Sequence, residues 1–537
     1  MKLKRESLKN ADFWNNAGIE LPRFDIDKML SETEKAPKWV HFGAGNIFRG
    51  FIAALQQKLL EEGVVDSGII AVAPNDSYIV DEIFQPSDNL TVLVNLLPDG
   101  KTEKRIVASI AESLAATTAI FSHWRRLQEV FRKPSLQMVS FTVTEKGYSL
   151  TDISGEYSPA VMEDINNGPE KPGGLMAKIA SLMYVRYKAG ELPIALVSMD
   201  NCAFNSDKLK SAVRTLLSHW VDKGFVEEGC LKYIDNEEKV AFPCTMIDKI
   251  TPRPSTAVEK NLRELGLEGI KILCTSKSSY ISQFVNVEKP EYLVIEDKFP
   301  NGRPELERTG VYFTDRATVD MVERMKVNTC LNPLHTALAI FGCLLGYTLI
   351  ADEMKDKQLK RLVEGIGYNE GMPVVVNPGI IDPREFIAEV LEERLPNPFI
   401  PDTPQRIACD TSQKIPFRFG ETIKLYHSNP ELEIGKLTYI PLVIAGWCRY
   451  LIGIDDLGND MELSPDPLLP ELTSYFQEVN LGQQDSVGDC LKPLLSNARI
   501  FGIDLYYAGL GEKIEGFFKE MIAGPGSVRE TLIKYVI

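Results

Sequence analysis

The sequence has 537 residues, which is more than one ordinary hydrophobic core can hold, so two or three domains are expected. Its 44% hydrophobic and 25% charged residues are typical of a globular protein and exclude a disordered or fibrous chain. The formal charge of −16 argues against a nucleic-acid or anionic-membrane partner, because both require a cationic surface.

Cysteine and histidine usage predicts a reduced compartment and no metal ion. The nine cysteines are scattered and contain no CxxC pair, which favours free thiols in the cytoplasm over a disulfide framework. The basic start "MKLKRESLKN" is not followed by an apolar stretch, so no signal peptide is expected. The five histidines lie far apart in the sequence, and none forms a metal-ligand spacing with a cysteine or another histidine.

The first half of the chain alternates short apolar strands with amphipathic helices. Strands are predicted at residues 39–43, 68–74, 136–144 and 193–199, and helices at residues 51–63 and 174–190. Such alternation predicts an α/β fold with a mostly parallel, doubly wound sheet. The pattern fades after Phe299.

Beyond Gly310 the pattern becomes helical. The most apolar run, residues 337–351, is short for a membrane span and is predicted to be a buried helix. The turn-rich stretch between Phe299 and Gly310 is the expected domain boundary. We therefore predict an α/β domain at residues 1–302 and a mainly α-helical domain at residues 303–537.

The stretch "WVHFGAGNIFRGF" places Gly43 and Gly45 between a predicted strand and a predicted helix. Glycines there allow a tight turn and let the backbone approach a pyrophosphate at the helix N-terminus, as in a Rossmann-like domain. Phe48 occupies the place of the usual third glycine. The alternative is a simple strand-to-helix turn.

Asp76 follows the second predicted strand, in "IIAVAPNDSY". An acidic residue there would bind the adenosine ribose hydroxyls and favour NAD over NADP. The alternative role for Asp76 is a helix N-cap.

Together with these motifs, several ordered segments resemble the polyol-specific long-chain dehydrogenases, the family that includes mannitol 2-dehydrogenase and the hexuronate reductases. The similar segments are residues 41–51, 140–148, 198–205, 242–252, 292–311 and 397–418. The resemblance implies a metal-independent NAD-dependent oxidoreductase with a small sugar or sugar-acid substrate, present as a monomer or small homo-oligomer.

The resemblance also implies which residues contact the cofactor. These are Thr144, Glu145 and the loop residues Gly43, Ala44, Gly45, Asn46, Ile47, Phe48 and Arg49.

The family's catalytic pattern is a lysine, an asparagine five residues later and a histidine three residues beyond that. In "MKVNTCLNPLH" Lys326 precedes Asn332 by six residues, whereas Asn332 and His335 keep the family spacing. One extra residue on an unbroken helix would rotate Lys326 by about 100°. We therefore expect the chain to be distorted between Val327 and Leu331, so that Lys326 keeps its function.

The resemblance implies a role for each catalytic residue in reducing a ketone. Lys326 would be the acid and base, and Asn201 and Asn332 would donate hydrogen bonds to the oxyanion. His335 would orient substrate hydroxyls, and Glu323 would relay protons. The alternatives are a capping Asn332, a core His335 and an exposed pair of Glu323 and Lys326.

Arg406 and Lys414 match the family positions that contact substrate, and either could bind a carboxylate. The nucleotide loop is more similar to the hexuronate-reductase branch than to the mannitol branch. The expected reaction therefore converts D-fructuronate and NADH to D-mannonate and NAD. Tagaturonate reduction and mannitol oxidation are the alternatives within the family, and a catalytically inactive nucleotide-binding protein is the alternative outside it.

Overall fold

The protein is described from a computed structural model covering residues 1–74, 77–152, 154–275 and 279–537. The chain folds into two compact units. Unit 1 comprises Met1–Leu97 and Lys101–Val319, and unit 2 comprises Pro98–Gly100 and Asp320–Ile537. The predicted fold class, an α/β domain followed by a mainly helical one, is confirmed.

All strands of the described residues belong to unit 1. In chain order they are β1 (Ile19–Glu20), β2 (Trp39–Phe42), β3 (Ile69–Ala73), β4 (Thr91–Leu96), β5 (Thr102–Val107), β6 (Ile110–Ala115), β7 (Met138–Phe141), β8 (Ile194–Ser198), β9 (Val240–Ala241), β10 (Thr245–Asp248), β11 (Leu273–Cys274), β12 (Tyr280–Ile281), β13 (Phe284–Glu288), β14 (Tyr292–Glu296) and β15 (Tyr312–Thr314).

The α-helices of unit 1 flank these strands. They are α1 (Ala11–Asn16), α2 (Ile26–Lys35), α3 (Ala53–Glu61), α4 (Phe121–Phe131), α5 (Pro159–Asn167), α6 (Leu175–Lys188), α7 (Asn205–Asp222), α8 (Gly229–Asp235) and α9 (Thr256–Glu264). Two π-helical turns, Phe48–Ile52 and Val80–Phe84, add to them, with 3₁₀ turns at Glu6–Lys9, Gln85–Ser87, Glu145–Gly147 and Leu306–Thr309.

The central feature of unit 1 is a parallel six-stranded sheet with the order β6-β3-β2-β7-β8-β9. Chain order reverses between β2 and β7, which is where ligands bind in doubly wound folds. Both faces of β2 are buried: Val40 and Phe42 join one apolar cluster, and Trp39 joins the other. The sheet therefore presents the carboxyl ends of β2 and β7 as its natural binding edge.

A mixed sheet, β1-β5-β4-β13, and a smaller sheet, β10-β14-β15, complete unit 1 together with the hairpin β11-β12. Strand β15 lies beyond Gly310, where only helices were expected. It forms because its backbone pairs in parallel with β14, a tertiary contact that periodicity does not report.

Unit 2 is helical. Helix α10 (Arg316–Met325) crosses the division, and the following helices are α11 (Asn332–Leu344), α12 (Ile350–Glu353), α13 (Lys357–Glu364), α14 (Pro383–Glu389), α15 (Pro404–Ile407), α16 (Thr411–Ile415), α17 (Glu421–Ser428), α18 (Tyr439–Tyr450), α19 (Leu469–Ser474), α20 (Leu491–Leu495), α21 (Ala498–Phe501), α22 (Gly511–Met521) and α23 (Ser527–Tyr535). The π-helical segments are Lys326–Cys330, Gly365–Gly371, Val390–Arg394 and Pro416–Gly420, and the 3₁₀ turns are Met372–Val374, Ile434–Lys436 and Gln484–Val487.

The core of unit 2 is built on α11 and α18, which pack against each other, and α18 also packs on α22. The apolar run at residues 337–351 was predicted to be one buried helix; residues 337–344 and 350–351 are buried, but residues 345–349 are partly or fully exposed and the run is not one helix. α11 ends at Leu344, and Gly346 turns the chain with a φ of +78° before α12 begins. The stretch Arg316–Leu344 is long and apolar enough to cross a membrane, and 78% of its apolar window is buried in the fold, as in a core helix.

Candidate active site

Gly43 directly follows β2, at the point where the strand order reverses. Its φ of +128° and its contact with Thr142 admit no side chain, since a Cβ would lie 2.4 Å from Thr142 Oγ1. Gly45 has no atom within 4 Å of the position of a Cβ, so the space over it is open. The loop therefore packs closely against Thr142 at Gly43 and leaves open space at Gly45. A dinucleotide-binding loop needs both features.

The helix after this loop begins near Asn46 and passes through the π-helical turn Phe48–Ile52 into α3. The sequence pattern predicted that this helix begins only at Phe51. Its N-terminus follows the glycines directly, so its unpaired N–H groups and dipole favour an anion there.

Arg49 lies inside this helix and is fully buried. Its Nη1 donates to the Ser282 carbonyl at 2.6 Å and its Nη2 donates to Asn46 Oδ1 at 3.0 Å. Burial lowers the pKa of Arg49 to about 9. The guanidinium thus holds the Asn46 side chain at the start of the helix.

The other predicted cofactor residues follow the neighbouring strands. Thr144 and Glu145 are exposed after β7, and Glu145 forms an ion pair with Lys208. Asp76 follows β3 but lies outside the described residues, so its predicted role remains a prediction.

Asn201 is exposed in the turn after β8. The preceding Asp200 is buried and accepts hydrogen bonds from the Tyr148 hydroxyl and the backbone N–H of Cys202. Burial raises the pKa of Asp200 and that of Tyr148. This pair anchors the turn from which Asn201 projects.

Asn205 also stabilises this turn, because its Nδ2 donates to the Asp200 carbonyl at 3.2 Å and to Thr245 Oγ1 at 3.1 Å. The neighbouring Phe204 adopts a left-handed conformation, φ +54°, with a largely exposed side chain. Sequence reasoning gave Asp200, Tyr148 and Asn205 no part in this turn, although all three lie in segments that resemble the family.

In unit 2, Lys326–Cys330 forms a π-helical turn. The Leu331 N–H donates to the Lys326 carbonyl at 3.1 Å, across five residues rather than four. A π turn accommodates one residue more than an α turn. The predicted distortion between Val327 and Leu331 is therefore confirmed, and Lys326 is half-buried at its start.

Helix α11 begins at Asn332, with Pro333 in its first turn. The N-cap position belongs to Leu331 and no side chain caps the helix, so the alternative of a capping Asn332 is wrong. Glu323 lies one turn before Lys326 on α10, and Asn332 and Glu323 are both half-buried.

His335 lies in the first turn of α11, where its Nε2 is 3.4 Å from Asp402 Oδ2. That nitrogen is buried and makes no hydrogen bond to any residue that the structure describes. Burial, together with the charges of three arginines and against the opposing effect of Asp402, lowers the pKa of His335 to about 4. The imidazole is therefore neutral at pH 7 and is able to donate or accept a hydrogen bond.

The charges of Arg394, Arg406 and Arg418 act on this histidine, and Lys414 lies close to two of these arginines. Arg406 pairs with Asp402 and has 61% of its side chain exposed, and Thr403 caps its helix by accepting from the Arg406 N–H at 3.2 Å. Lys414 is half-buried, and its Nζ donates to the carbonyls of Ile407 and Cys409. Desolvation lowers the pKa of Lys414, and the charge of Arg418 lowers it further.

Arg418 and Asp402 are members of this cluster that sequence reasoning missed. Arg418 is mostly buried and its Nη1 donates to the Thr336 hydroxyl, which in turn donates to the Asn332 carbonyl at 2.9 Å. Burial lowers the pKa of Arg418 to about 10. Both residues lie in the matched segment 397–418, which was the available signal.

Family models match both halves of the chain. The mannitol dehydrogenase Rossmann domain matches residues 37–308, and the mannitol dehydrogenase C-terminal domain matches residues 318–521. The chain belongs to the mannitol dehydrogenase family. The resemblance inferred from the sequence motifs is confirmed, and the protein is an oxidoreductase of this type.

Relatives in the family cover the whole chain. A D-mannonate oxidoreductase of Thermotoga maritima is 56% identical over 100% of this chain and 99% of its own length. The D-mannonate oxidoreductase of Escherichia coli is 30% identical over 91% of this chain and 93% of its own length. The solved structure of Pseudomonas fluorescens mannitol 2-dehydrogenase with NAD and D-mannitol has a TM-score of 0.69 at 25% identity, covering 99% of each chain.

Proposed function

We propose that this family member is an NAD-dependent ketouronate reductase that converts D-fructuronate to D-mannonate. The observation that carries the proposal is the 56% identity, over the full chain, to a D-mannonate oxidoreductase. The cationic cluster around His335 supports it, because a sugar acid brings a carboxylate that needs such partners.

NAD(H) fits the loop after β2. The open space over Gly45 and the helix N-terminus at Asn46 are what a pyrophosphate requires. In this proposal the loop residues Gly43 to Arg49 hold the cofactor with Thr144 and Glu145, and Asp76 binds the adenosine ribose. The bound cofactor supplies the hydride.

In this proposal, side chains of the protein carry out the proton transfer and stabilise the oxyanion. Lys326 donates a proton to the substrate alkoxide oxygen during reduction and removes it during oxidation. The amides of Asn201 and Asn332 donate hydrogen bonds to the same oxygen as negative charge develops on it. Glu323, one turn from Lys326, exchanges that proton with solvent.

In this proposal, the residues around His335 in unit 2 bind the substrate. Neutral His335 hydrogen-bonds a substrate hydroxyl, and Arg406 or Lys414 binds the carboxylate. Arg406 is available for this because its pair with Asp402 is largely open to solvent on the arginine side. A guanidinium has five N–H donors, so Arg406 can bind a substrate carboxylate through its exposed N–H groups and keep its pair with Asp402, whose side chain is only 13% exposed.

The test is oxidation of NADH by the purified protein with D-fructuronate, D-tagaturonate and D-fructose, repeated with NADPH and after exhaustive chelation. We expect the highest kcat/KM with D-fructuronate and NADH, unchanged by chelation. Preference for D-tagaturonate or D-fructose would identify one of the other family reactions instead. Turnover of none of the three would contradict the proposal.

A further inference from the structure

A chain of buried polar groups runs beneath the loop after β2. The Trp39 indole N–H donates to Ser140 Oγ at 2.7 Å, and Ser140 Oγ lies 2.7 Å from His41 Nδ1. On the other side of the ring, His41 Nε2 lies 2.9 Å from Thr142 Oγ1, and the Thr142 hydroxyl donates to the Gly43 carbonyl at 3.2 Å. His41 and Ser140 are fully buried.

The roles of the two His41 ring nitrogens depend on its tautomer, which we assign from the two ends of this chain. Indole can only donate and a carbonyl can only accept. The Thr142 hydroxyl donates its proton to the Gly43 carbonyl, so Thr142 Oγ1 accepts a hydrogen bond from His41 Nε2–H. Burial lowers the pKa of His41 to about 3, so the ring is neutral and its Nδ1 accepts from Ser140.

The His41 ring is also fixed by stacking. It lies parallel to the Phe48 ring, with centroids 4.2 Å apart and planes 7° apart. Phe48 stands where a dinucleotide loop usually has its third glycine. Here an aromatic side chain occupies that place and packs against the residue that supports the loop.

The Gly43 carbonyl matters because of the peptide group it belongs to. In a planar trans peptide the N–H of Ala44 points away from the Gly43 carbonyl, hence away from Thr142. Ala44 is buried, yet neither its N–H nor that of Gly45 meets an acceptor within the described part of the chain. Buried N–H groups without a partner are rare in proteins and indicate a ligand acceptor.

We propose that His41 is a positioning residue for the cofactor: through Thr142 it fixes the Gly43–Ala44 peptide so that the Ala44 N–H points at the pyrophosphate. The inference rests on the proposed NAD site and assigns a function to two side chains that do not touch the ligand. The hydrogen bond to the carbonyl also polarises the peptide, which makes its N–H a stronger donor.

The test compares Thr142→Val, which keeps the shape but loses the hydroxyl, with Thr142→Ser, which keeps the hydroxyl. A net hydrogen bond of about 0.5–1.5 kcal/mol corresponds to a change of about 2- to 13-fold. Thr142→Val should raise the Kd of NADH and the Ki of ADP by the same factor in that range. Adenosine, which has no phosphate, should inhibit both variants as it inhibits the native protein.

Two further variants keep the test decisive if Thr142→Val does not fold. His41→Phe keeps the stack on Phe48 and should raise the Ki of ADP by a similar factor, and Ser140→Ala should do so more weakly. In each variant kcat at saturating NADH should fall by less than the Kd rises.

Three results would overturn the inference: an unchanged Ki of ADP in the variants that fold, an equal loss of adenosine affinity, or a Thr142→Ser variant as impaired as Thr142→Val. Failure of the native protein to bind NADH at all would instead contradict the proposed function.

Discussion

Glu353, at the end of α12, is a buried carboxyl group whose removal should stabilise the protein in a pH-dependent way. The residue is fully buried, and neither carboxyl oxygen has a hydrogen-bond partner among the described residues. It fits against Gly342, where a Cβ would lie 2.2 Å from Glu353 Oε1. Desolvation, with a smaller contribution from Asp356, raises the pKa of Glu353 to about 9 from 4.5.

The direction in which stability changes with pH follows from the protonation of Glu353 in the folded and unfolded states. Below pH 4.5 the Glu353 carboxyl is protonated in both states and has no linkage effect. Between pH 4.5 and about 9 the unfolded chain releases the proton and the folded one keeps it, so stability falls as pH rises. At 1.36 kcal/mol for each pH unit, the loss between pH 5.5 and pH 8 is about 3 kcal/mol.

Glu353→Gln keeps the shape of the protonated side chain and abolishes its titration. The variant should be more stable than the native protein, and the gap in free energy of unfolding should grow by about 3 kcal/mol from pH 5.5 to pH 8. In thermal melts this corresponds to roughly 6–12 °C for a domain of 150–250 residues. A gap that is the same at both pH values would refute the reasoning, because it would mean that Glu353 is ionised in the folded protein.

Three further predictions concern the proposed reaction. Lys326→Ala should lower kcat by about 10²–10⁴ while NADH binding persists, measured by single-turnover kinetics and fluorescence titration; near-normal turnover would assign the proton transfer elsewhere, with His335 the next candidate. Arg406→Ala should lower kcat/KM for D-fructuronate by about one to two decades more than for D-fructose, whereas the exposed control Lys436→Ala should change neither; equal losses on both substrates would exclude a carboxylate contact. Asp76→Ala should weaken NADH binding more than NADPH binding in equilibrium titrations, and an unchanged Kd for NADH would leave Asp76 only a capping role.

Local patterns were sufficient for much of unit 1. The strands at Trp39–Phe42, Ile69–Ala73 and Ile194–Ser198 are short apolar runs bounded by turn residues, and strands that are buried on both faces of a parallel sheet typically have this pattern. The place of Gly43 was readable because only glycine tolerates its backbone conformation. Compared with the spacing in the family that the sequence resembles, the extra residue between Lys326 and Asn332 likewise indicated a local distortion of the helix, since an α turn cannot absorb an extra residue without rotating Lys326.

What the sequence by itself determined was therefore the fold class, the position of the glycine loop and, through the family resemblance, the distortion of the helix after Lys326. The tertiary structure alone decided what surrounds them. His41 and Ser140 are 99 positions apart, and His335 and Asp402 are 67 apart, yet each pair is in contact. Local periodicity reports only neighbours on one strand or helix, whereas burial, pKa shifts and orphaned N–H groups depend on segments brought together by folding.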